Sequence, residues 1–364
     1  MTKRLLYLNG IAIFAVILFH ATGWGMTAMF SWAHRYLAIT GPDFDPTNSA
    51  AYFVLRFFEQ VVVFSIPAFL FVSGFFIAFL NGRKDGTLAW KTVISRVKYL
   101  VIPYLLWSLL LIAADTLQGK PFTPVGVLVS LLTGSTSPAY YFVPLLIQFY
   151  LLSPLLVPLA KKYALPLLIV TGLMQLAVHL IQYPLLLGSD LPIVESFVRF
   201  FPKWFFPVRL FWFCAGIVVG LNLVKIKDTI VRLRPLWLAG TAILLVAGFF
   251  EWEALAHGAG MRETVVDMFY AGFFILALLS LVNQKMPLEP QMSDLGSKSF
   301  GIYLVHIPVM EFFSRAVYHL TPSLLAYQLL LVLVLIVLGL GVPLLVMKIV
   351  RTSPLRSVYS YIFG

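Results

Sequence analysis

The chain has 364 residues, of which 60% are hydrophobic, 15% aromatic and only 11% charged. Soluble domains carry about 25% charge, so a soluble cytosolic enzyme is excluded. Mean hydropathy of +0.93 is spread along the chain rather than held in one anchor, and the net charge of +11 reads as orientation in a bilayer rather than as a nucleic-acid surface.

At about 20 apolar residues per crossing of a hydrocarbon layer about 30 Å thick, ten helical spans follow in chain order. The first, 5–24, carries Asn9 near its start and His20 fifteen residues after Leu5, about 22 Å along the axis. Eleven residues are about three turns, so Asn9 and His20 look out from one face. The second, 57–81, opens with Glu59 and Gln60 at a depth similar to His20. The third, 94–116, begins with Arg96, Lys98 and Tyr99 at the membrane surface, and Pro103 kinks it just inside. Residues 124–134 read as an interfacial helix or an extra crossing. The fourth, 139–159, contains Gln148 and Tyr150; the fifth covers 163–186 and the sixth 204–224. The seventh, 236–251, is the shortest, followed by 265–283, by 298–317 with Tyr303 and His306, and by 323–349. Runs this long and uniformly apolar lack the alternation of a membrane barrel, so the expected fold is an all-α bundle of about ten transmembrane helices.

With the N-terminus inside, 18 of the 26 lysines and arginines fall on the inner side, among them Arg83 and Lys84; Arg262 is one of the eight outside. Both termini are therefore expected in the cytoplasm. Lys3 and Arg4 before an apolar stretch imitate a signal peptide, but the stretch exceeds an h-region and lacks a small-residue cleavage site, so an uncleaved first helix is expected. No repeat, low-complexity tract or long linker divides the chain, and residues 1–364 read as a single membrane domain with no soluble part. Cys214, the one cysteine, sits in an apolar run, which excludes an intramolecular disulfide and a thiolate zinc site.

A bundle this apolar reveals function through the polar groups it buries, since an ionisable residue at membrane depth costs about 2.5–3.5 kcal/mol even on insertion scales. Each such residue here also has a structural reading. His20 can donate to a neighbouring backbone carbonyl, Arg96 and Lys98 can be positive-inside anchors, and Gln148 and Tyr150 can join helices. Glu59 lies close enough to the boundary to be hydrated, Asp267 can lie on a solvated face, and His179 has no obvious partner.

Six segments together resemble the acyltransferase-3 family of integral membrane acyltransferases, whose members modify exopolysaccharides, osmoregulated glucans and other surface glycans. NGIAIFAVILFH at 9–20 is similar to the family's RGIAxLxVVxxH pattern, and SIPAFLFVSGFF at 65–76 to its VPxFFxxSGF segment. ISRVKYLVIPYLLW at 94–107 resembles the basic run into the third helix, and YYFVPLLIQFYLLSPLL at 140–156 the WFxxxLxxxYLLxP stretch. LFWFCAGIVVGL at 210–221 resembles the FxxGxxxG helix, and GSKSFGIYLVHIPVM at 296–310 the SYxxYLxHxP helix. Asn9 stands where the family usually has an arginine, leaving a cationic role lost or taken by Arg4. The RxxR pair is present only as Arg96 and Tyr99, with Lys98 as a substitute, and the tyrosine after Ser299 is Phe300.

The resemblance implies transfer of an acyl group, with acetyl expected, from cytoplasmic acyl-CoA to a carbohydrate hydroxyl at the outer face of a bacterial inner membrane. A hydroxyl attacking a thioester needs a base poised near neutral pH, and His20 is the candidate, with Glu59 as its orienting partner. Arg96 and Lys98 are the candidates for the phosphates of CoA, with Asn9 on the same side. Tyr303 and His306 are candidates for lining the acyl channel or polarising the thioester carbonyl, and Gln148 and Tyr150 for binding the acceptor. No His, Asp and Glu cluster has metal-ligand spacing, so no metal is expected. The expected partners are acyl-CoA, a carbohydrate acceptor and membrane lipids, with a homodimer left open and no nucleic acid. Two other readings stand beside this one: a glycan or small-molecule transporter or exporter, since ten helices with Pro and Gly interruptions also describe a carrier, and a non-catalytic relative that binds acyl-CoA or glycan.

Overall fold

The computed structural model describes residues 2–37, 45–81, 90–189, 191–255 and 264–364. Arg83, Lys84 and Arg262 lie outside the described residues. The helices are α1 (Thr2–Phe30), α2 (Ala50–Val61), α3 (Ser65–Asn81), α4 (Trp90–Leu117), α5 (Pro124–Thr133), α6 (Phe142–Lys162), α7 (Ala164–Leu180) and α8 (Tyr183–Leu186), then α9 (Pro192–Phe200), α10 (Leu210–Arg232), α11 (Arg234–Leu255), α12 (Val265–Ser280), α13 (Glu289–Ser297), α14 (Ser299–Leu320), α15 (Gln328–Thr352) and α16 (Tyr359–Phe363). Among the described residues there is no strand.

Each of the ten expected spans is helical, and among the described residues eight are long and apolar enough to cross a membrane, counting α2 and α3 together. The other two, α7 and α12, have 17 and 16 residues, about 25 Å of rise each. The seventh, short in the sequence reading, is the 22-residue α11. The 124–134 segment is the 10-residue α5, too short to cross.

The second span differs most from expectation. It starts at Ala50 and breaks over 62–64 before resuming as α3. Pro67 explains the break: it has no N–H to give the carbonyl of Val63, and its ring clashes with that carbonyl. The tertiary structure meets part of the cost, because the Tyr270 hydroxyl donates to the Val61 carbonyl at 2.9 Å. A freed carbonyl in a hydrocarbon layer needs such a partner.

At the centre is α1, enclosed by α2, α3, α13, α14 and α15. By contrast, α11 turns Ile243, Val246 and Phe250 outward at helical spacing, a lipid-facing stripe. Two helix pairs approach so closely that only glycine fits. A Cβ on Gly74 of α3 would lie 2.1 Å from the Phe213 carbonyl oxygen, and one on Gly216 of α10 would lie 2.0 Å from that of Phe71. The same holds for α1 and α13, where Gly10 meets the Met292 oxygen at 1.8 Å and Gly296 meets that of Leu6 at 2.0 Å. Between membrane helices, where lipid is as apolar as leucine, such small-residue contacts supply close packing.

Gly216→Ala is accordingly expected to destabilise the bundle by about 1–3 kcal/mol, because the obstacle is rigid backbone rather than a movable side chain. Gly341→Ala, in open space on α15, is the control and should lose nothing. Thermal melting of both variants in detergent checks the pair; equal melting temperatures would contradict the contact.

Candidate active site

His20 is carried by the second half of α1 and faces a cavity of about 330 Å³. The broken second span supplies one wall through Val62, Val63 and Ser65; α7 brings His179, the turn after it brings Gln182, and α14 brings Tyr303. Among the described residues no side chain hydrogen-bonds the His20 imidazole. Its ring packs against that of His306, centroids 5.3 Å apart. His306 is fully buried and its Nδ1 lies 2.7 Å from the Tyr303 carbonyl oxygen. A carbonyl only accepts, so Nδ1 carries the proton; in a neutral ring Nε2 then holds a lone pair. That Nε2 is buried with no hydrogen-bond partner among the described residues. The Tyr303 hydroxyl donates to the Ala139 carbonyl.

Glu59 does not join this group. Its carboxylate pairs with Arg56, whose Nε also donates to Glu253 at 3.1 Å and whose guanidinium lies 3.7 Å over the Trp252 ring. Arg56 is 5% exposed, and a buried guanidinium must be neutralised where it sits. Depth matched Glu59 to His20 in the sequence; the side chain instead points to its own helix neighbour three residues back. Trp252 lines the His20 cavity, so the cluster shapes the wall rather than the imidazole.

Arg96 faces a second cavity of about 400 Å³ at the end of the bundle where α4 and α14 begin. Tyr99, Tyr150 and Phe300 line it with Arg96, and the guanidinium lies 5.9 Å from the Tyr150 ring centre. Lys98 is outside it, exposed, with its ammonium 5.3 Å from the Tyr361 ring. The position that lines the cavity beside Arg96 is therefore Tyr99, one turn on, while Lys98 points off that face. Asn9 lines neither cavity, and its Oδ1 is buried with no hydrogen-bond partner among the described residues. Arg4 does not replace a cation there either. It is 4% exposed and donates to the carbonyls of Leu281, Val282 and Gln284 at 3.1, 3.4 and 2.6 Å, closing the C-terminus of α12.

Gln148 and Tyr150 are two residues apart, about 200° around the helix, and so do different things. Gln148 Nε2 donates to the carbonyls of Trp204 at 2.7 Å and Pro144 at 3.1 Å, and the Phe206 N–H donates to its Oε1 at 3.2 Å. Both ends of its amide are spent holding the segment that leads into Arg209. Tyr150 is on the Arg96 side.

Residues outside the candidate set complete the His20 cavity. Arg209 is 4% exposed, its Nη1 donating to the Lys203 carbonyl at 3.3 Å and its guanidinium 5.5 Å over the Tyr141 ring. Asp267 is 2% exposed, not solvated: it caps α12 with Thr264 and accepts from Gln60 Nε2 at 2.9 Å. His179, also 2% exposed, lines the wall. The signal available beforehand was a charge inside an apolar run, as in FFPVRLFWF at 205–213. Among the described residues no three His, Cys, Asp or Glu side chains are grouped so as to hold a metal ion.

The family model described as "Acyltransferase domain", that of the acyltransferase-3 family, matches residues 4–347. Similar curated proteins include those of Staphylococcus aureus strains MRSA252, MSSA476 and MW2, each named a probable poly-beta-1,6-N-acetyl-D-glucosamine export protein. Each is 23% identical over 280 residues, which is 71% of this chain and 72% of the relative. No solved structure matches. The apolar helices, the bacterial relatives and a family match over nearly the whole length lead to one conclusion: the chain is a multi-pass membrane protein of the acyltransferase-3 family.

Proposed function

We propose that the protein moves an acyl group, acetyl in the first instance, from cytoplasmic acyl-CoA to a hydroxyl of a surface carbohydrate, with His20 as general base. The observation that carries this is the placing of His20 on the wall of a cavity beside His306, while Arg96 faces a separate cavity that α14 also lines, one turn away. Family membership indicates acyltransferase activity in general. The excess of Lys and Arg on one side supports cytoplasmic termini, which turns the Arg96 cavity toward CoA.

In the proposed reaction the acceptor hydroxyl gives its proton to His20 as its oxygen attacks the thioester carbonyl. The C–O bond forms, the C–S bond breaks, and the proton passes from His20 to the departing CoA thiolate. Imidazole suits both transfers because its ordinary pKa lies nearest neutrality. His306 acts as a positioning residue, its own ring fixed by the bond from Nδ1 to the Tyr303 carbonyl. Arg96 holds phosphate oxygens at the cytoplasmic mouth, a task for which its planar fork is better suited than an ammonium.

A second reading, export of a poly-N-acetylglucosamine chain, is favoured by the names of the relatives. Purified protein in nanodiscs with radiolabelled acetyl-CoA and a panel of host glycans separates the two. Acyl transfer predicts CoA release and label uptake that fall about 10²–10⁴-fold in His20→Ala; export predicts no CoA release in either protein. Transfer that survives the substitution would move the base elsewhere.

Two variants then divide binding from chemistry. Arg96→Ala should raise the apparent KM for acyl-CoA more than it lowers kcat, and a pure kcat effect would contradict a phosphate-binding role. Glu59→Gln should loosen the Arg56 cluster, lowering the melting temperature with turnover retained; severe loss of kcat at an unchanged melting temperature would return Glu59 to the mechanism.

A further inference from the structure

Helix α14 supplies a wall residue to each cavity. Phe300 lines that of Arg96, and Tyr303, one turn on, lines that of His20. Three residues of helix advance about 4.5 Å along the axis. The two rings stack with centroids 6.5 Å apart and planes within 12°. At this level the cavities are therefore separated by one aromatic layer. From Tyr303 the path to the base is short: its ring lies 5.8 Å from that of His306, which lies 5.3 Å from that of His20.

The two rings are held differently. Tyr303 is fixed on several sides, by its hydroxyl bond to the Ala139 carbonyl, by the edge of Phe142 at 5.7 Å and by Tyr140 at 6.4 Å. Tyr140 is anchored in turn, its hydroxyl donating to the Leu304 carbonyl at 2.5 Å. Phe300 has no polar anchor and is only half-buried. One ring is locked to backbone through its hydroxyl and the other is held by packing alone, against Tyr303 and Gly364, which is the composition of a barrier with one weaker part.

We propose that Phe300 and Tyr303 form the barrier between the donor and acceptor cavities, and that the bulk of Phe300 at the mouth restricts passage to short acyl groups. The selectivity rests on the acyl-CoA reading; the barrier does not. One methylene in a packed apolar slot is worth about 10–200-fold in kcat/KM, so a ring at this point is enough to reject a butyryl group in favour of acetyl.

Two measurements test the inference. In proteoliposomes containing a pH-sensitive dye, wild type should be proton-tight, whereas F300A/Y303A, which removes the whole layer, should leak. A double variant that keeps its elution profile and melting behaviour yet stays as tight as wild type would overturn the barrier. In competition between acetyl-CoA and butyryl-CoA, F300A should shift the kcat/KM ratio toward butyryl by about tenfold, while Y303F, which keeps the ring and loses only the hydroxyl bond, should leave it near wild type. An unchanged ratio in F300A overturns the selectivity; F300L serves if the alanine variant does not fold. If wild type releases no CoA from any acyl-CoA, the donor reading and the selectivity fall together, and the leak measurement still decides the barrier.

Discussion

Hydrocarbon offers a buried polar group no partner, so every charge, imidazole and freed carbonyl at membrane depth must be satisfied by the chain or face a cavity. That constraint organises the molecule. Arg56 is answered by Glu59, Glu253 and the Trp252 face; Arg4 donates through Nη2 to the carbonyls that follow α12; Asp267 is fixed by Thr264 and Gln60. With those groups committed, His20 stands out as an ionisable side chain at depth whose surroundings are a cavity and another imidazole.

The cavity itself follows from two local departures from ideal packing. Pro67 interrupts the second span and leaves residues 62–64 out of helix, opening room beside His20 that a continuous helix would fill. The glycine contacts act in the opposite sense. By bringing α3 onto α10 and α1 onto α13 at backbone distance, they fix the broken span and the His20 helix against the rest of the bundle.

The two ends of the bundle carry different chemistry. Arg96, Tyr99 and Tyr150 offer a guanidinium among phenol rings, while the His20 cavity gathers imidazoles, Arg209 and the amide of Gln182. The tyrosines between them bond their hydroxyls to backbone carbonyls of Ala139 and Leu304, which keeps a polar group satisfied inside the aromatic layer without opening a water path.

By itself, the sequence determined whatever depends on composition and on spacing along one helix. The ten apolar runs are all helical, and His20 lies at the depth its place along α1 gave, because a run length fixes a crossing and a residue's place along its helix fixes its depth. Direction around the helix and partners on other helices were not legible. Glu59 had the right depth for His20 and turned instead to Arg56; Gln148 was spent on the 204–206 backbone; Lys98 lay off the face that Arg96 and Tyr99 share. His179, Arg209 and Asp267, none of them a candidate from the sequence, are buried in the walls. Depth is a one-dimensional property that the chain carries in its order. A cavity wall is assembled from residues hundreds of positions apart, and only the packing of α1 against α3, α13 and α14 decides which of them meet.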